Sequence, residues 1–259
     1  MSRESVKSVE KAFSLLRELA SGASQRSGPD LARALRFSKP TVYRLLRALE
    51  RSGAVYRSPE AATYTLGIGL RELAAVDHWH FQLRSAAAGP MRRLRDASTE
   101  TVTLYVSLNP AEFVCIEMLP GLNHIRHFEH VGGPIAVGKG ATSTIFVAGL
   151  AEVHGWDAVT RLLNTLDDLP PGGAEEQKAR ARRLIDQGYF SSAGGERFQG
   201  IKSISAPIRG ASGRIVAALS LSGPSADFGE EPLWATWVRE TATAIFQALA
   251  AMPGSRSVH

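Results

Sequence analysis

Val42, Leu45, Leu46 and Leu49 fall at i, i+3, i+4 and i+7, the spacing that lines one face of an α-helix with apolar side chains. Ser38 can accept a hydrogen bond from a first-turn amide, and Pro40 is tolerated there because such amides have no intrahelical partner to lose. The opposite face carries Lys39, Thr41, Tyr43, Arg44, Arg47 and Arg51. Upstream, residues 28–35 read as a short helix with Pro29 in its first turn, and a break at Arg36-Phe37 separates it from the basic helix. Short helix, tight turn, basic helix is the helix-turn-helix order. Downstream, two strand-like runs at 54–57 and 63–66 flank residues 58–62, which predicts a hairpin, or wing, able to lie along a phosphate backbone.

An earlier helix is expected over 8–20, with Val9, Ala12, Phe13, Leu16 and Leu19 as its buried stripe, and a polar loop over 21–27. Helical spacing resumes at 70–76, a linker helix, and at 81–97, the opening of a larger domain. From Glu100 the period changes to two. Strands are expected at 101–108 and 112–119 around a turn at 109–111, and another at 125–129. Helices follow at 140–150, 158–163 and 174–187, strands at 200–206 and 215–222, and a closing helix at 230–250. Strands at both ends with helices between them give an α+β sheet domain and not a βαβ repeat. The division expected is a winged head over 1–67, a linker helix over 68–80, a larger domain over 81–253 and a flexible tail over 254–259.

Charge sharpens this division. Residues 1–60 hold 12 Lys/Arg against 6 Asp/Glu, a net of +6, and the remainder of the chain has a net of −1. All the excess positive charge therefore belongs to the segment with the basic helix, the footprint of a polyanion-binding head on a near-neutral body. No run approaches 18 apolar residues, so no membrane partner is expected, and the first residues lack the apolar core of a secretory signal. The single cysteine, Cys115, lies in an apolar run and fits a packed strand in a reducing cytoplasm, where the protein is expected to reside.

Other chemistry finds little support. The run from Gly133 to Gly140 matches G-x-x-x-x-G-K but ends in Gly where a phosphate loop needs Ser or Thr for magnesium. On a strand, His127 would face away from His124 and His130, and His78 and His80 have no clear acidic or Cys partner, so no metal site is expected. Neither a G-x-S-x-G elbow nor an H-E-x-x-H pair exists. No catalytic residue, enzyme activity or cofactor is assigned.

The fragments Lys39-Pro40-Thr41-Val42-Tyr43-Arg44-Leu45-Leu46, Tyr64-Thr65-Leu66-Gly67, Glu100-Thr101-Val102-Thr103-Leu104 and Gly188-Tyr189 occur in that order. Glu196, Ser203-Ile204-Ser205-Ala206-Pro207 and Ser220-Leu221-Ser222-Gly223-Pro224 follow them. Together, over roughly residues 5–250, they resemble the IclR family of bacterial transcriptional regulators. The resemblance implies a winged helix-turn-helix, a linker helix and a GAF-like effector-binding domain, in a homodimer or a dimer of dimers. Two features depart from the family pattern: one extra residue between Gly188 and Glu196, and Arg209-Gly210 where an aromatic and an acidic residue are usual.

In similar proteins small ligands sit between a Gly-rich turn and the two serine-bearing strands, which implicates Gly138, Lys139, Gly140, Ile201, Ser203, Ser220 and Ser222. These residues suit the role by themselves. Ser220 and Ser222 share one face of a strand, and a Gly-rich turn entering a helix offers free amides, a favourable dipole and the Lys139 charge to a carboxylate. The expected function is a ligand-responsive regulator sensing a small organic or aromatic acid. Ser38, Lys39, Thr41, Tyr43, Arg44, Arg47 and Arg57 would approach a pseudo-palindromic operator in double-stranded DNA, with Arg44 and Arg47 on guanine and Lys39 and Arg57 on phosphates. The alternative is a small-molecule enzyme or sensor on the larger domain, with the basic head making protein contacts.

Overall fold

The computed structural model describes residues 6–21, 25–74, 78–192, 194–226, 228–229 and 231–252. The tail expected at 254–259 lies outside them, as do residues 22–24 of the first loop and 75–77 of the linker. The chain forms two compact units, Met1–His78 and Trp79–His259.

In the first unit, helices α1 (Lys7–Ala20), α2 (Gly28–Leu35), α3 (Lys39–Arg51) and α4 (Gly69–Ala74) accompany strands β1 (Arg26–Ser27), β2 (Val55–Arg57) and β3 (Thr63–Leu66), which form a sheet in the order β1-β3-β2. Its core is Leu15, Leu19, Leu31, Val42, Leu45, Leu46, Val55 and Tyr64. Ser27 starts α2: its hydroxyl accepts from the Asp30 amide at 3.3 Å and donates to the Asp30 carboxylate at 2.5 Å. That bond, first among several causes, holds the Asp30 carboxyl below its ordinary pKa. Arg36, with φ of 53°, ends the helix in the left-handed conformation and turns the chain toward α3.

Two expectations change here. The stripe of α1 is Leu15 and Leu19 with half-buried Ala12 and Leu16, whereas Val9 and Phe13 are 51% and 57% exposed. Neither belongs to the core that Leu15 and Leu19 share with α2, α3 and the small sheet. The supposed loop ends in a short strand, because Arg26 and Ser27 pair with Tyr64 and Thr63.

The second unit is built on a six-stranded antiparallel sheet in the order β6-β5-β4-β9-β8-β7. Its strands are β4 (Thr101–Asn109), β5 (Glu112–Leu119), β6 (Pro134–Ala136), β7 (Phe190–Ser191), β8 (Ile201–Arg209) and β9 (Ile215–Pro224). Helices α5 (His78–Ser98) and α8 (Glu231–Ala250) pack with Val102, Leu104, Ile204, Leu219 and Leu221 on one face. Helices α6 (Ala141–Leu163, broken at Gly155) and α7 (Gly173–Gln187) pack with Tyr105, Phe113, Cys115 and Ala218 on the other. Both faces being covered, the central strands carry few exposed positions, which weakens the polar–apolar alternation that marks a half-buried strand. Among the described residues no helix is long and apolar enough to cross a membrane.

The strand expected at 125–129 does not form. Residues 126–130 are irregular, tied to the sheet by a Thr101 hydroxyl donating to the His127 carbonyl at 2.7 Å and by the Glu129 amide donating to Met118 Sδ at 3.2 Å. Alternation is real nonetheless: His127 and Glu129 are buried and Phe128 is exposed. Side chains, not a strand ladder, hold this backbone.

Candidate functional site

Helix α3 buries Val42, Leu45 and Leu46 and leaves Lys39, Tyr43, Arg44 and Arg47 exposed. With Pro40, Glu50 and Arg51, the last three line an open groove along the helix. Gly28 leaves room for the Tyr43 ring against the start of α2: a Cβ there would stand 2.7 Å from the ring Cζ and push this exposed side chain aside. Arg57 is exposed at the end of β2. Among the described residues, Lys39, Arg44, Arg47, Arg51 and Arg57 have no acidic partner, whereas Arg26 and Arg33 pair with Glu18 and Asp30.

The expected capping by Ser38 is corrected. Its hydroxyl lies 2.9 Å from that of Thr41 and bonds no amide. No acidic residue occupies the first turn of α3 either, so the positive end of the helix is left open to an outside anion.

The second site is a cavity of about 450 Å³, counting its open mouth, in the larger unit. Ser203, Ser220 and Ser222 line it from the sheet, as part of a wider lattice of hydroxyls. Thr101, Ser222 and Ser203 stand opposite one another across β4, β9 and β8, and Thr103, Ser220 and Ser205 form the next row. Because side chains alternate along a strand, both rows face the same side. Most of these hydroxyls are engaged: Thr101 with His127, Ser205 with Thr142 at 3.1 Å, and Ser203 with Ser192 at 3.1 Å. Ser222 Oγ is buried with no partner among the described residues.

Ion pairs brace the walls. Arg197 Nη1 and Nη2 donate to Glu129 Oε2 and Oε1 at 2.5 and 3.2 Å, the Tyr105 hydroxyl donates to Oε2 at 3.1 Å, and the His130 amide donates to Oε1 at 3.1 Å. Four donors fill the four lone-pair positions of the carboxylate. Burial, then the adjacent Glu129 charge, pushes the Tyr105 phenol well above its ordinary pKa. Burial, opposed by Glu129 and aided by Arg197, pulls His127 below its own, which keeps the imidazole neutral at neutral pH. Cys115 is pushed up to about 12, chiefly by burial, so its thiol stays protonated and inert.

Lys139, Gly140, Ile201, Ser203, Ser220 and Ser222 all line this cavity, but Gly138 does not. Its amide is spent on Ser143 Oγ at 2.7 Å and its backbone is pressed against the Asp168 carbonyl. The expectation of free amides in the turn is also corrected in part. Glu196 Oε2 accepts from the Gly140 amide at 3.1 Å and is itself held by Arg180 at 2.9 Å, so a protein carboxylate already sits there. What borders the cavity open to a ligand is the next pair of amides, of Ala141 and Thr142, which an α-helix start leaves unpaired. Lys139 pairs with Asp168.

Sequence reasoning missed Tyr105, Phe113, His127, Ala141, Thr142, Ser192, Glu196, Arg197 and Phe198 as lining residues. The sequence sets His127 on the face opposite His124 and His130, but nothing local couples it or Glu129 to Arg197, 68 residues from Glu129. Among the described residues no group of three His, Cys, Asp or Glu is placed to hold a metal ion, and His124 and His130 are exposed while His127 is buried.

Residues 8–59 match the family pattern described as the IclR helix-turn-helix domain, and residues 75–247 match that of the bacterial transcriptional regulator IclR C-terminal domain. The chain belongs to the IclR family. Relatives within this family include the HTH-type transcriptional regulator XynR of Escherichia coli, 26% identical over 84% of this chain and 86% of that protein. The transcriptional repressor AllR of the same organism is 25% identical over 96% and 92%. Among solved structures, an IclR homolog from Microbacterium hydrocarbonoxydans complexed with 4-hydroxybenzoate superposes with a TM-score of 0.76 at 23% identity, over 95% of this chain and 100% of that one. The IclR regulator from Alicyclobacillus acidocaldarius gives 0.75 at 23%, over 95% and 99%. Both share the α+β fold with an N-terminal helix-turn-helix. The protein is a transcriptional regulator of the IclR type, with a DNA-binding head and an effector domain.

Proposed function

We propose that this IclR-type regulator reads duplex DNA through α3 and the wing and responds to a small organic acid held in the cavity of its larger unit. The observation that carries the reading is the exposed face of α3, whose cations no acid of the protein neutralises among the described residues. Arg44 and Arg47 have the planar forks that pair with guanine edges, and Lys39 and Arg57 meet phosphates. Ser38, Thr41 and Tyr43 supply hydroxyls beside them. A homodimer, or a dimer of dimers, would place paired heads on a pseudo-palindromic operator. Anisotropy titration of a labelled duplex flanking the gene tests this: saturable binding at low salt is expected, and none would remove DNA from the function.

For the ligand, the Ala141 and Thr142 amides and the Ser220 and Ser222 hydroxyls offer donors to a carboxylate. The rings of Tyr105, Phe113 and Phe198 suit a flat apolar body. The 4-hydroxybenzoate bound by the Microbacterium protein supports an acid of this kind. Lys139 is the lining cation most easily released to meet it. Its partner Asp168 is 79% exposed, and a surface pair of that sort is worth about 0–1 kcal/mol, so re-pairing costs little. Arg197 is bound to a Glu129 that is 5% exposed, and breaking that pair costs several times more. Lys139→Met is therefore expected to weaken acid binding roughly tenfold by isothermal titration calorimetry, and unchanged affinity would take Lys139 out of the site.

A further inference from the structure

His127 is 7% exposed and lines the cavity, yet among the described residues its ring makes no hydrogen bond. The nearest charged atom, Glu129 Oε2, is 4.0 Å from Nε2, beyond hydrogen-bond length, and its lone pairs are already taken by Arg197 and Tyr105. The ring is nevertheless held in place. The Thr101 hydroxyl fixes the His127 carbonyl at 2.7 Å, and Phe198 packs against the imidazole with ring centroids 5.0 Å apart. A polar ring positioned by its neighbours, lining the cavity and bonded to none of the described residues, is the arrangement expected of a group that bonds a ligand.

We propose that His127 is the residue through which the cavity distinguishes a hydroxylated acid from its unhydroxylated counterpart. This rests on the reading that the cavity holds an acid. The chemistry is matched on both sides. A neutral imidazole offers one donor and one acceptor, and so does a hydroxyl, so either tautomer meets it. Burial and the neighbouring Arg197 both hold the ring neutral. It therefore does not compete for the carboxylate, which is left to the helix amides, the serines and Lys139. An acid lacking the hydroxyl displaces solvent from the imidazole without replacing its hydrogen bond, the loss by which a polar site rejects an analogue. Glu129 and Arg197, already saturating one another, shape this wall without reading the ligand.

Calorimetric titration of the full chain with benzoate and each of the three monohydroxybenzoates tests the assignment. At least one hydroxylated acid is expected to bind ten times or more tighter than benzoate. His127→Phe, which keeps a ring against Phe198, is expected to reduce that ratio below threefold by weakening the hydroxylated acid alone. His127→Asn, with a donor and an acceptor, is expected to recover part of it. A ratio under threefold in the unsubstituted protein, a ratio that survives His127→Phe, or an equal loss for both acids would overturn the role of His127 while leaving acid binding intact. No binding of any of the four acids would overturn the acid reading itself, and this inference with it.

Discussion

Arg197→Met is expected to destabilise the larger unit by about 3 kcal/mol, the lower end of the cost of breaking a buried ion pair from one side. The lower end applies because the Arg197 side chain is itself 30% exposed, whereas that of Glu129 is 5% exposed and would remain charged without its partner. The damage lies in the stranded carboxylate and not in the lost attraction. The double variant Arg197→Met with Glu129→Gln should therefore recover more than half of the loss, since a neutral amide still accepts from Tyr105. All four tryptophans, Trp79, Trp156, Trp234 and Trp237, lie beyond residue 78, so their fluorescence in a denaturant titration reports on this unit alone. A loss below about 1 kcal/mol, the range of surface pairs, would mean that solvent screens Glu129.

Arg47→Ala is expected to weaken operator binding by about 1–3 kcal/mol, the worth of one good bidentate contact to a base, and to relax preference at a single position. Lys39→Ala should instead weaken all duplexes alike and lower the salt slope by about one, because a phosphate contact carries no sequence information. With two phosphate contacts per head, Lys39 and Arg57, affinity should fall about tenfold per head between 50 and 200 mM salt. The contrast between the two variants is the informative readout. Arg47 is exposed and unpaired, so its removal leaves the core of Leu31, Val42 and Leu46 untouched. Unchanged operator affinity in Arg47→Ala would reject the assignment.

These two expectations draw on parts of the chain that were unequally legible. Helix α3 declares itself in sequence because its apolar stripe, its Pro40 and its cations are all local, and the fold places Val42, Leu45 and Leu46 inside and Arg44 and Arg47 outside. The stripe of α1 was misjudged at Val9 and Phe13, since burial there depends on how far α2 and α3 reach. The serine rows of β8 and β9 were legible for the same reason as α3: period two puts Ser220 and Ser222 on one face. Thr101 and Thr103 complete the lattice only through register between β4 and β9, more than a hundred residues apart, which no local pattern encodes. The Glu129–Arg197 pair and the Glu196 carboxylate on the Gly140 amide have the same origin. Both join irregular segments, where neither periodicity nor capping rules say what a side chain will meet.

The anion-ready turn illustrates why geometry has to follow pattern. Its glycines and Lys139 were read as an open cradle, yet two of its amides are occupied, by Ser143 and by Glu196. A ligand acid is left with the first turn of α6, the two serines and a lysine whose present partner is exposed. That is a smaller and more selective set of donors, and it places the burden of discrimination on the opposite polar groups.

The most direct measurement is the affinity of the full chain for a labelled duplex flanking its gene, titrated by anisotropy at fixed salt with and without a saturating acid identified by calorimetry. Salt-sensitive binding whose dissociation constant shifts at least fivefold with the acid, and does not shift in a cavity variant that no longer binds it, is the expected result. Binding that ignores the acid, or no binding even in dilute buffer, would contradict a regulator whose cavity governs its cationic helix.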